Sequence, residues 1–139
     1  MTLTVPRAEL QRLHAHAVEG YPFEVVGILA GERATGRISR VHPLVNERSD
    51  SPQNRYQVSG MVLWRAEQRL EGEGLEIVGY YHSHPDHPAQ YSDYDREHAL
   101  PNMSYLITAV HAGQVTDTLS WRLVEDRSQM NPESILIED

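Results

Sequence analysis

The first clear periodicity lies in residues 6 to 19, PRAELQRLHAHAVE, where Leu10, Leu13, His14, Ala17 and Val18 fall on one side at helical spacing and Pro6 suits a first turn. An amphipathic helix is predicted there. EVVGILAG is a short apolar run ended by Gly31, and RISRVHPL follows an ATG turn, so the two predict a β-hairpin. Residues 44 to 55, LVNERSDSPQNR, are polar and turn-rich and predict a loop, followed by a short extended stretch around YQVS. GMVLWRAEQRLEGEG then places Val62, Leu63, Ala66 and Leu70 on one helical face before glycines stop it.

LEIVGYYH is almost continuously apolar or aromatic, as in a strand covered on both faces. SDYDREHAL reads as helix and SYLITAVH as another buried strand. TDTLSWRLVED alternates Leu119, Trp121 and Leu123 with polar neighbours, marking a half-exposed strand, and SILIE suits a last edge strand. Interleaved helices and strands predict an α/β domain: a single curved mixed sheet packed by two or three helices.

Composition narrows the chemistry more than the fold. A chain of 139 residues fits one domain, 1–139, with a core of its own. The formal charge of −8, with basic residues scattered along the chain, disfavours a nucleic-acid partner. No apolar run approaches the length of a signal peptide or a membrane span, so neither a membrane association nor export is expected, and a cytoplasmic location is. Cysteine is absent, which leaves His, Asp and Glu as candidate metal ligands.

Those residue types converge in YYHSHPDHPAQYSDYD, residues 80 to 95. Side chains two apart on a strand point the same way, so His82 and His84 can present imidazoles to one point before Pro85 stops the strand. A helix starting near Ser92 would bring Asp95 back to that strand end, and two imidazoles with one carboxylate are a zinc ligand set that leaves a position for water. Each part also has an ordinary reading. A His-x-His at a strand end is more often a hydrogen-bonded pair, and Ser92-x-x-Asp95 could be only a helix cap. Glu24, just before an apolar strand, would by itself be a loop carboxylate.

Taken together, Glu24 before a strand, His82-x-His84-Pro85 and Ser92-x-x-Asp95, with seven residues between His84 and Ser92, resemble the JAMM (MPN+) metalloprotease signature. The likeness spans nearly the whole chain and is closest to small bacterial members that act on ubiquitin-like sulfur-carrier proteins, including a hydrolase of cysteine biosynthesis that frees cysteine from its carrier. It implies a JAMM/MPN, cytidine-deaminase-like fold. It also implies that His82, His84 and Asp95 bind Zn2+, that Glu24 handles the catalytic water and its proton, and that Ser92 helps stabilise the oxyanion.

The activity implied is hydrolysis of the amide bond after the C-terminal Gly-Gly of a ubiquitin-like sulfur carrier lying extended beside the sheet, with cysteine as one leaving group. Two alternatives stand beside it. One is a general isopeptidase that removes small modifiers from lysines; the other is a non-catalytic MPN interaction module, which would be expected to lack one of the five residues present here. Many relatives have Cys where this chain has Val26, a departure that leaves the chemistry intact. The long insertions that grip ubiquitin chains are also missing, which argues against polyubiquitin as substrate. His87 is expected as a solvated loop residue, with a place beside the substrate groove as the lesser alternative, and His98 either as a partner of Asp95 or as a helix-surface residue. His14, His16, His42 and His111 show no pattern, while Trp64 and Trp121 are expected to pack in the core or against a helix. Oligomeric state stays open, a homodimer included.

Overall fold

The computed structural model describes residues 2–46 and 58–139. In chain order its elements are β1 (Thr2–Pro6), α1 (Arg7–Gly20), β2 (Val26–Glu32), β3 (Arg37–Leu44), α2 (Gly60–Gly72), β4 (Glu76–Pro85), α3 (Asp93–His98), β5 (Ser104–His111), β6 (Gln114–Leu123) and β7 (Met130–Glu138). The strands run in the spatial order β1, β3, β2, β4, β5, β6, β7, and β7 returns to pair with β1.

The mixed sheet with three helices agrees with expectation, but the sheet is closed rather than simply curved. Closure depends on β1, a strand that TLTVP is too short to announce. It pairs in parallel with the C-terminal strand from Thr2 against Ser134 to Pro6 against Glu138. SILIE is therefore not an edge strand: it lies between β1 and β6. On its other side β1 meets β3 at Thr4 and Arg37. Further along β3 the backbone N–H of Val41 donates instead to Glu9 Oε1 of α1 at 2.9 Å, so a side chain satisfies a donor on that strand.

Among the described residues, three buried clusters fill the fold. α1 lays Leu10, Leu13 and Ala17 against Leu3, Val5, Leu29, Tyr81 and Leu106. α2 covers Val26, Ile28 and Ile77 with Ala66 and Leu70, and a third cluster joins Ala89, Ala99, Tyr105, Ile107, Trp121 and Met130. Burying side chains of this size contributes about 1.5–3 kcal/mol each before entropy is counted. Trp121 is buried as expected, whereas Trp64 departs from expectation: it is 58% exposed on the outer face of α2. The loop and the extended YQVS stretch predicted before α2 fall mostly outside the described residues. Val58 and Ser59 are described and lie in no strand, and Ser59 caps α2 by accepting from the Val62 N–H at 3.2 Å.

Two glycines allow the close approaches that place β2. A Cβ at Gly20 would sit 2.2 Å from Val25 Cγ1, so the turn from α1 into β2 is as tight as it is only because that atom is absent. A Cβ at Gly27 would sit 2.2 Å from the Tyr81 ring, on the neighbouring strand β4.

Candidate active site

Strand alternation sets the first two residues of the site. Tyr81 points into the cluster beneath α1, so its neighbours His82 and His84 project from the opposite face at the end of β4. The strand is held in the sheet by β2 from Glu76 to His82 and by β5 from Gly79 to Pro85, so His84 stands where β2 has ended. Pro85 closes the strand as predicted, and the chain returns through residues 86–91 to α3.

Asp95 reaches the histidines because α3 begins with a capping box. The Ser92 hydroxyl accepts from the Asp95 N–H at 3.1 Å, and Asp95 Oδ2 accepts from the Ser92 N–H at 2.9 Å. The cap and the candidate ligand are thus the same feature. His82 Nε2 lies 3.0 Å from Asp95 Oδ1, His84 Nε2 lies 3.1 Å from Asp95 Oδ2, and the two Nε2 atoms are 3.2 Å apart.

These separations match a tetrahedral donor set, whose neighbouring ligand atoms stand about 3.3 Å apart when metal bonds are about 2.0–2.1 Å. Among the described residues this is the one group of three or more His, Cys, Asp or Glu side chains near enough to hold a metal ion. His84 Nδ1 lies 2.8 Å from the Pro88 carbonyl oxygen, which can only accept, so in the neutral ring Nδ1 carries the proton and Nε2 has the lone pair to offer the site.

The electrostatics are those of a concentrated charge cluster. Burial pushes the Asp95 carboxyl up, but the charge of His82, hydrogen bonds from both imidazoles and the Ser92 N–H outweigh it and hold Asp95 well below the usual carboxylate range. Burial draws His84 toward neutrality, while the Asp95 hydrogen bond and charge, the Pro88 carbonyl and the Glu24 charge together lift it above its ordinary value.

Glu24, 6% exposed, comes in from the turn before β2 and borders the same cleft as His84, Ser92 and Asp95. The cleft has a volume of about 340 Å³, and Pro85, His87, Pro88, Gln90 and Tyr91 complete its wall. All five residues predicted from sequence therefore meet at one place, four of them on the cleft wall and His82 buried behind it. His87 borders the groove, the less favoured of its two readings from the sequence. His98 does not orient Asp95: its Nδ1 bonds the Tyr94 carbonyl at 2.9 Å and its ring stacks on Tyr94 on the exposed face of α3.

Sequence reasoning missed the supports of the site. Ser83, between the two histidines, is 1% exposed and its Oγ accepts from the Val25 N–H at 2.9 Å, tying the Glu24 segment to β4. Pro88 orients His84, and Trp121 in turn holds that loop by donating from Nε1 to the Ala89 carbonyl at 3.0 Å. A serine between two histidines was visible, but nothing in the sequence says which backbone it meets.

Comparison with known proteins places this arrangement in context. The sequence profile described as prokaryotic homologs of the JAB domain matches residues 6–124. A probable TtuB-protein conjugate cleaving protease of Thermus thermophilus is 38% identical over 107 residues, covering 77% of this chain and 70% of that protein. A desampylase of Haloferax volcanii is 35% identical over 98 residues, 67% of this chain and 70% of its own. Among solved structures, a protein from Desulfitobacterium hafniense superposes with a TM-score of 0.84 at 26% identity, covering 100% of this chain and 94% of that one. A JAB1/MPN domain protein from Archaeoglobus fulgidus, at 13% identity, superposes with a TM-score of 0.62 over 99% of this chain and 97% of its own.

Proposed function

We propose that this chain, which belongs to the prokaryotic JAB-domain family, is a zinc-dependent hydrolase that cuts the amide bond joining the C-terminal Gly-Gly of a ubiquitin-like sulfur carrier to its conjugate. The observation that carries the reading is the triangle of His82 Nε2, His84 Nε2 and Asp95 oxygens, 3.0 to 3.2 Å on a side, opening on a cleft that Glu24 and Ser92 border. His82, His84 and Asp95 would hold the zinc ion, which would supply Lewis acidity and would lower the pKa of a bound water toward about 7.

The remaining steps fall to the chain's own side chains. Glu24 accepts a proton from the attacking water as the C–O bond forms and the carbonyl π pair moves onto oxygen, and then delivers that proton to the amine nitrogen as the carbonyl re-forms and the C–N bond breaks. The Ser92 hydroxyl is already an acceptor in the cap, yet its proton stays available. A hydroxyl has one donor and two acceptor positions, so Ser92 can cap α3 and donate to the carbonyl oxygen as negative charge gathers on it. Asp95 stays ionised because its carboxyl is held far below neutrality.

Between the two leaving groups considered, the relative named as a conjugate cleaving protease favours an amine of a modified protein over free cysteine. The binding-module reading loses ground for a different reason. All five chemistry-bearing residues are present, and they converge on an accessible cleft.

The test is intact-mass analysis of zinc-loaded chain incubated with two probes. One is a bacterial ubiquitin-like sulfur carrier linked through its terminal Gly-Gly to a peptide lysine; the other is the same carrier extended by one cysteine. Release of the lysine peptide, abolished by Glu24→Gln, is the expected result. Cleavage of the cysteine extension alone would move the substrate to the amino-acid-releasing class, and no cleavage of either by a zinc-bearing chain would defeat the proposal.

A further inference from the structure

Glu24 sits in a short connection, Tyr21 to Val25, between α1 and β2, and such a connection does not by itself hold a carboxylate within the narrow tolerance that proton transfer needs. The connection is anchored on each side of Glu24, once to β4 at Ser83 and once to the turn that follows β4 at Asp86. Behind Glu24, Val25 exchanges two hydrogen bonds with Ser83: its N–H donates to Ser83 Oγ at 2.9 Å, and its carbonyl accepts from the Ser83 N–H at 3.1 Å. Ahead of Glu24, the Tyr21 hydroxyl donates to the Asp86 carboxylate, 2.7 and 2.9 Å from its two oxygens.

Asp86 is well placed to be a fixed post. It follows Pro85 directly, and its backbone is left-handed, with φ of 57°, where the chain turns away from β4. Its N–H donates to the Val110 carbonyl at 2.7 Å, and Asp86 Oδ1 accepts from the Ala112 N–H at 3.0 Å in the turn after β5. His111 Nδ1 stands 3.6 Å from the same oxygen. Ser83 near the end of β4 and Asp86 just beyond it therefore bracket His84, while Tyr21 and Val25 bracket Glu24.

We propose that Tyr21 and Asp86 form a latch that sets Glu24 in register with the His82–His84 end of β4, acting as positioning residues for the proton transfer. The inference rests on the proposed role of Glu24. What separates it from a plain structural tie is exposure: the Asp86 side chain is 47% exposed, so its bond to Tyr21 forms in competition with water and adds little to folding. A contact of that kind can be lost with the fold intact and the geometry impaired.

The experiment measures kcat, KM, zinc content and melting temperature for the zinc-loaded chain, with the Gly-Gly–lysine carrier conjugate as substrate. Tyr21→Phe and Asp86→Ala are expected to lower kcat by about ten- to hundredfold, the scale of a small misplacement of a catalytic group, with KM nearly unchanged. Zinc content and melting temperature should stay close to those of the parent. The double variant should be no slower than the slower single one, because both changes open the same latch. Asp86→Asn keeps an acceptor oxygen for Tyr21 and should recover most of the rate.

Full kcat in Tyr21→Phe overturns the latch. So does a rate loss matched by a loss of zinc or of folded protein, or a double variant whose losses multiply. The Glu24→Gln chain keeps the two ideas apart: if it is active, the proposed base is wrong, whereas an inactive Glu24→Gln beside a fully active Tyr21→Phe removes only the latch. A zinc-bearing parent chain that leaves the conjugate whole defeats both.

Discussion

Trp121 of β6 donates its indole N–H to the Ala89 carbonyl at 3.0 Å, and Pro88, one residue earlier, accepts from His84 Nδ1 at 2.8 Å. The barrel thus reaches a candidate metal ligand through a single loop, which Tyr91 also anchors by setting its ring edge-on to Trp121 with centroids 5.1 Å apart. Outer partners of this kind orient ligating imidazoles and commonly affect metal affinity by about 10–100-fold.

Trp121→Phe keeps most of the packing but leaves the buried Ala89 carbonyl without its donor. The expected cost to stability is about 1–3 kcal/mol, the range for stranding a buried polar group. Zinc affinity, measured by competition with a chromophoric chelator on the folded protein, should fall by about tenfold as the loop loosens. Unchanged affinity would show that Pro88 holds its place without Trp121.

Ligands and base separate by what each substitution removes. His84→Ala or Asp95→Ala should yield protein that purifies without stoichiometric zinc, because each deletes one of three residues whose donor atoms approach one another at 3.0 to 3.2 Å. Glu24→Gln should keep one zinc per chain while turnover falls by about 10²–10⁴, the usual contribution of a positioned acid–base group. Elemental analysis beside a cleavage assay reads both, and a metal-free Glu24→Gln protein would recast Glu24 as a ligand.

Ser92 carries two duties that Ala and Thr substitutions can divide. Ser92→Ala removes the cap, costing about 0.5–2 kcal/mol, and it also removes the hydroxyl proposed to meet the oxyanion, costing about 10²–10³ in kcat. Ser92→Thr retains both functions and should be close to the parent in melting and in rate. If Ser92→Ala melts early yet turns over normally, the residue is a cap and nothing more.

The parts of this site that were legible in the sequence are the parts whose geometry is local. His82 and His84 follow from the two-residue strand repeat, and Ser92 with Asp95 from the three-residue spacing of a capping box, so each pair is positioned by a single element. Glu24 needed the family resemblance, because its meeting with His84 spans sixty residues. The closure of the sheet was hidden for a similar reason: β1 pairs with β7 from opposite ends of the chain, and five residues of TLTVP carry too little alternation to register as a strand. Ser83, Trp121 and the Tyr21–Asp86 contact were visible as residues, but their partners are set by the barrel and not by spacing. Trp64 misled because its ring is large and apolar, while its place on α2 turns it outward.

The histidines that showed no pattern make a prediction about acid. His16 Nδ1 lies 2.8 Å from the hydroxyl of the fully buried Tyr81, whose own proton burial holds firmly in place, so a neutral His16 accepts that proton's hydrogen bond. Burial lowers the His16 pKa below its ordinary value, and the nearby charge of Glu19 only partly restores it. Between the folded value and about 6.5 the unfolded chain binds more protons than the folded one, so stability rises with pH across that window. The contribution is complete above about pH 6.5 and disappears as pH falls through the folded value. His16→Gln cannot titrate, so melting curves of parent and variant recorded in chelator should diverge less as the pH is lowered from 8 to 5. His84, whose shift has the opposite sign, is common to both chains and cancels in the difference. A gap in melting temperature that stays constant across the range would show that His16 is not the group whose protonation weakens the fold.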